Sequence, residues 1–128
     1  MGVKFVNVKV SNPAKPKKAA THELLIDSGA VYSLLPAKDL KKLGIKPVRQ
    51  ERCMLGDGKS VTMPVGNALF EFQGKFGAAP VIFGDEGVYL LGVTSLEAMG
   101  FMLDPLRREL KPAPMLLMPA TPSSTAGD

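Results

Sequence analysis

Cysteine, histidine and tryptophan are close to missing from this chain. Its 128 residues include one cysteine, Cys53, one histidine, His22, and no tryptophan. A single cysteine excludes a disulfide within the chain and suits a reducing compartment. One Cys and one His do not supply the three or four ligands of the usual zinc site, so no metal and no cofactor is expected. The same shortage weighs against Ser-His-Asp and Cys-His chemistry. His22 would have to be the base, and it stands in an alternating stretch just ahead of Asp27. Cys53 in a strand reads as a small buried hydrophobe.

Long apolar runs are absent too, so no membrane span is indicated. The opening MGVKFVNVKV alternates apolar and polar side chains, where a signal peptide carries a continuous apolar stretch. The expected location is therefore cytoplasmic, with no membrane partner. Aromatics make up only 6%, against a net charge of +4 and a pI near 9.3. The basic residues fall into separated groups: Lys15, Lys17 and Lys18, then Lys41 and Lys42, then Arg107 and Arg108. Nucleic-acid binders concentrate such groups on one face and interleave aromatics for stacking. Solvated loops and helix faces are the expectation here, with no nucleic-acid partner.

What the chain does have is the ordinary make-up of one soluble domain, 45% apolar and 22% charged. Short alternating segments separated by turn residues dominate. Strands are expected over 3–10, 20–26, 31–35, 48–55, 60–65, 67–73, 79–83 and 88–91. The segment SNPAKPKK, 11–18, reads as a loop. Pro36 opens a short helix closed by Gly44, and a second short helix, 94–99, is closed by Gly100. Asp104-Pro105 marks a further turn. Gly56-Asp57-Gly58 joins two strands in a tight hairpin, because glycine accepts the positive φ such turns need. The pattern implies a mostly-β domain, a small closed barrel with one or two short helices, over residues 1–112. A Pro/Ser/Thr-rich tail follows over 113–128. Both halves run strand, Gly turn, short helix, Gly cap and return, a loose internal echo.

Asp27 is where chemistry is expected. The apolar strand Leu24-Leu25-Ile26 delivers it, and Ser28-Gly29-Ala30 follow. A carboxylate at the end of an apolar strand is costly unless hydrogen-bonded or used. Gly29 lets backbone approach it, and Ser28 offers a hydroxyl. The plain alternative is an Asx turn, in which the Asp side chain bonds backbone two residues on.

The order of motifs favours use. Ile26-Asp27-Ser28-Gly29-Ala30, the Gly56-Asp57-Gly58 hairpin and Leu90-Leu91-Gly92 opening a helix resemble the retropepsin-like aspartic peptidases, in particular their small bacterial and archaeal members. The resemblance covers about residues 3–112. Serine stands at 28 where threonine is more usual, and Val93 stands where a polar or basic residue is common. The resemblance implies a barrel of the retropepsin type and a homodimeric endopeptidase acting on peptide or protein substrates. It implies Asp27, Ser28 and Gly29 as catalytic residues. It also implies Ala30, Met54, Leu55, Gly56, Asp57, Gly58, Leu91 and Gly92 as cleft and flap, with the flap hairpin running from Cys53 to Val65. Only one Asp-Ser-Gly is present. Asp39 and Glu97 fall in helices, Asp57 and Asp85 in Gly turns, and Asp104 before a proline, so the second carboxylate of such a site must come from another copy. Two other readings remain open at this point: a catalytically silent dimerisation or peptide-binding module of the same fold, and an unrelated small β-barrel binding protein.

Overall fold

The computed structural model describes residues 4–114, so the expected tail lies almost wholly outside the described residues. Nine strands and two helices follow one another: β1 (Phe5–Asn12), β2 (Lys15–Ile26), β3 (Ser33–Pro36), α1 (Ala37–Lys42), β4 (Arg49–Met54), β5 (Ser60–Phe72), β6 (Lys75–Gly84), β7 (Leu90–Leu91), α2 (Val93–Met99), β8 (Phe101–Leu103) and β9 (Leu110–Pro112). Seven strands form one sheet in the order β1-β2-β7-β3-β6-β5-β4, and β1 also pairs with β5. That second pairing closes the sheet into a ring, which removes most of the open edges. The barrel expected from the sequence is present. Strands β8 and β9 make a separate two-stranded sheet.

Alternation along the strands points Val8, Val10, Leu24, Ala68, Phe70 and Val81 inward, where they join Leu40 of α1, Leu96 and Met99 of α2, and Phe101 in one core. Each large apolar side chain buried this way contributes about 1.5–3 kcal/mol. Both helices end as the sequence predicts. Gly44 (φ 77°) follows the C-cap Leu43 of α1, and Gly100 (φ 85°) caps α2.

Two expectations are corrected. Residues 11–18 are not a loop. β1 runs on to Asn12, β2 begins at Lys15, and only Pro13-Ala14 turn the chain. Asn12 makes this possible. Its side-chain oxygen accepts the Ala14 N–H at 2.9 Å, and its amide donates to the Leu43 carbonyl at 3.0 Å. The register shifts here, from Ser11 opposite Ala19 to Asn12 opposite Lys15, so Pro16 to Lys18 bulge outward. Second, the expected strands 60–65 and 67–73 are one strand, β5, because Gly66 continues the ladder opposite Val81. A side chain at 66 would meet the Lys46 carbonyl at 2.8 Å, so glycine serves there for close approach rather than for a turn.

His22 stands half-buried in β2, opposite Val8. Its ring stacks on Tyr89 with centroids 5.2 Å apart, and its Nε2 is buried with no hydrogen-bond partner among the described residues. The Tyr89 hydroxyl donates to the Asp39 carboxylate, tying α1 to the segment before β7. That bond holds the Tyr89 phenol above its ordinary value of 10.0, with burial and the charges of Asp39 and Glu86 adding to it. Because the folded state favours the protonated phenol, this stabilisation is whole below pH 10.0 and is lost as pH rises through the raised value. Urea midpoints are expected to fall between about pH 9 and about pH 11, and to fall less in Tyr89→Phe. Equal slopes in the two proteins would contradict the assignment.

Candidate active site

Asp27 stands just past the end of β2, where the parallel pair β2–β7 stops. Leu25 and Ile26 lie opposite Leu90 and Leu91, and the Asp27 N–H donates to the Leu91 carbonyl at 3.0 Å. Thus the last rung of a buried ladder fixes the backbone that carries the carboxylate. Its Oδ1 accepts the Gly29 N–H at 2.9 Å, and its carbonyl accepts the Ala30 N–H at 3.1 Å. The Asx turn weighed as the plain alternative is therefore present. It orients one oxygen and leaves the other for further partners.

The loop beyond is docked on the start of α2. Val93 N–H donates to the Ala30 carbonyl and Thr94 N–H to the Val31 carbonyl, both at 2.9 Å. Gly92 lies flat against the Tyr32–Ser33 peptide, and a Cβ there would come within 2.5 Å of the Tyr32 carbonyl carbon. Its N–H donates to the Ser33 hydroxyl at 2.9 Å, and that hydroxyl shares a 2.6 Å hydrogen bond with Ser95 in α2. Both serines are fully buried. Ser33→Ala leaves the Gly92 N–H and the Ser95 hydroxyl without this partner. The expected loss is about 1–3 kcal/mol of stability, read from denaturant midpoints at unchanged m-value. A cost near zero would mean the pair is dispensable.

Two cavities flank Asp27. One, of about 690 Å³, lies between the Asp27–Tyr32 loop and the β4–β5 hairpin. The other, of about 610 Å³, opens past Ser28 toward Lys4, Leu103, Pro105 and Arg108. The expected site residues divide accordingly. Asp27, Gly29 and Ala30 share the first cavity with Met54, Leu55 and Gly56, while Ser28 faces the second. Leu91 and Gly92 lie behind the loop, buried, and act through backbone. Asp57 and Gly58 form the exposed hairpin tip, where the Asp57 carboxylate accepts the Lys59 N–H, and they do not line either cavity.

Tyr32, Leu34, Glu51 and Ile82, outside every expected site motif, also line the first cavity. Arg49 ties Tyr32 to Glu51, donating to the phenol oxygen at 3.0 Å and to the carboxylate at 3.2 Å. Tyr32 could have been found from its place in the loop after Asp27. Glu51 and Arg49 carry no local signal, since only the fold of β4 brings them to the loop. Met54 and Leu55 are 75% and 45% exposed, an apolar hairpin end left uncovered by the described residues. No cluster of metal-ligating side chains occurs among the described residues.

A ring-closed sheet, a docked Asp-Ser-Gly loop, a hairpin over the resulting cleft and a short helix behind define the retropepsin fold. The solved structure of simian foamy virus (mac) protease is similar to this chain, with a TM-score of 0.54 and 17% identity. The match spans 73% of this chain and 92% of the viral protease. No protein-family model and no curated protein matches the sequence.

Proposed function

We propose that the chain is one subunit of a homodimeric aspartic endopeptidase, with Asp27 and its symmetry mate forming a two-carboxylate site. One observation carries this reading: Asp27 sits at the meeting point of two cavities, with a half-site on each side. Among the described residues the only other acid lining either cavity is Glu51, and Arg49 holds its carboxylate. In this reading the second carboxylate comes from another copy of the chain. A two-fold axis beside Ser28 supplies it, because an isologous interface places the same residue twice at the axis. The cavity along Lys4, Leu103 and Pro105 is where the second copy fits.

Two carboxylates in contact do not both ionise readily, so the pair shares one proton and titrates as a unit. The ionised member takes a proton from the attacking water, and the protonated member polarises the scissile carbonyl. The exposed Met54 and Leu55 close over an extended peptide and exclude water. Residues 1–112 form the catalytic domain, and the small bacterial and archaeal retropepsin-like enzymes are the proposed kin. A cytoplasmic location belongs to the same proposal.

The test is cleavage of a diverse peptide library between about pH 4 and about pH 7, with sedimentation of the same samples. Cleavage by a dimeric species supports the proposal. A dimer that cleaves nothing points instead to a silent binding module, and a monomer that cleaves nothing removes both.

A further inference from the structure

The fold brings together lysines that the sequence keeps apart. The tip of the β1–β2 hairpin rests on the end of α1 through the buried bond from Asn12 to the Leu43 carbonyl. Lys18 lies over Gly44, its Nζ 3.6 Å from where a Cβ would stand. Lys41 and Lys42 occupy the last turn of α1, and Lys46 follows two residues after Gly44. Lys17 sits on the bulge of the same hairpin, and Lys15 pairs with Asn12 just before it. All six are exposed, and none is in an ion pair with a described residue. The nearby acids are turned elsewhere: Asp39 accepts from Tyr89, and Glu86 pairs with Lys38 at the other end of the helix.

We infer that this composite face binds the phosphate backbone of double-stranded nucleic acid. Six ammonium groups carried by one hairpin tip and the adjoining end of α1, none in an ion pair with a described residue, favour a dense polyanion, since neutralising phosphates releases condensed counterions. The patch holds no aromatic side chain, so it offers no stacking platform for unpaired bases and no wedge for a lipid surface. Nor does it hold the arginine and aromatic anchors that dominate protein interfaces. Lysine serves as a point charge, which suits contact without base readout. The site is separate from the cleft. Lys15 to Lys18 begin β2 and Asp27 follows its other end, and none of the six lysines lines either cavity beside Asp27. The inference therefore holds or fails independently of peptidase activity.

The experiment is fluorescence anisotropy of a labelled duplex DNA of about 20 base pairs, titrated with the full chain at several salt concentrations. An engagement of about four phosphates gives a log–log salt slope near −3.6, roughly a hundredfold loss of affinity between about 50 mM and about 200 mM salt. Lys17→Glu/Lys18→Glu and Lys41→Glu/Lys42→Glu are each expected to weaken binding about tenfold or more, while Lys59→Glu, on the β4–β5 hairpin tip, leaves it unchanged. Circular dichroism of the same variants reports that the fold is kept. Absence of saturable binding at low salt overturns the inference, as does sensitivity to only one of the two lysine pairs. Competition by poly-glutamate equal to that of DNA assigns the face to an acidic polypeptide instead, and tighter binding of a single strand than of the duplex rejects backbone recognition.

Discussion

Asp27→Asn is expected to abolish peptide cleavage while leaving the fold and the dimer in place. Asparagine keeps the side-chain oxygen that accepts the Gly29 N–H, so the turn closing the loop survives the change. It removes the ionisable group, and with two copies in the proposed dimer it removes both members of the proposed pair. A positioned general acid or base is worth roughly 10²–10⁴-fold, so a loss of about 10³-fold or more in kcat/KM is expected. Thermal midpoint and sedimentation are expected to match wild type. The decisive comparison is kcat/KM beside midpoint for the two proteins. Retained cleavage would place the chemistry elsewhere in the chain, and a collapsed midpoint would make Asp27 a structural carboxylate.

Gly92→Ala is expected to damage stability and activity together. The backbone of Gly92, at φ −91° and ψ 170°, is one that alanine adopts freely, so the effect is steric alone. The new methyl would stand 2.5 Å from the Tyr32 carbonyl carbon, 2.6 Å from its oxygen and 2.9 Å from the Ser33 nitrogen. These are backbone atoms, with no rotamer to turn aside. Overpacking of this kind costs about 1–3 kcal/mol, and relief requires the Tyr32–Ser33 peptide to move with the loop that carries Asp27. A displacement of about 1 Å at a reacting group costs roughly 10²-fold in rate. Gly29→Ala is the contrast, because its Cβ meets only the Asp27 carboxylate oxygen at 3.3 Å. Chemical denaturation and kcat measured on both variants separate the cases. Similar behaviour of the two would show that close packing at Gly92 does not set the loop.

Much of this was legible in the residues, for local reasons. Gly44 and Gly100 ended their helices because a left-handed residue is needed there and glycine takes it without strain. Asp27-Ser28-Gly29 declared a turn at the end of an apolar strand, and alternation gave most strands. What misled was punctuation. Pro13 and Pro16 read as a loop, yet Asn12 satisfies the turn and a bulge absorbs the extra residues. Gly66 read as a break, whereas it marks where backbone of another segment comes close. The buried Ser33–Ser95 pair was out of reach, since serine is common and the two meet only after α2 folds back on the loop. The meeting of the lysine groups at 15–18 and 41–46 depends likewise on one long-range hydrogen bond from Asn12.

β5 joins two environments in one unbroken strand. Its first residues, Ser60 to Thr62, are exposed in the hairpin over the cleft, and its later ones, from Val65 to Phe70, help build the core beside β1 and β6. The cover over the cleft is thus one arm of a lever whose other arm is clamped inside the barrel. Pro64 stands opposite Gln50 at the fulcrum and cannot donate to the ladder there, and Gly66 sits pressed against the Lys46 carbonyl just beyond it. Lifting the cover bends a strand instead of swinging a loop. In the proposed peptidase the stiffness of the barrel wall would therefore set how readily the cleft admits and releases a peptide, and a substitution that tightens the packing around Val65 would act on entry from outside the two cavities beside Asp27.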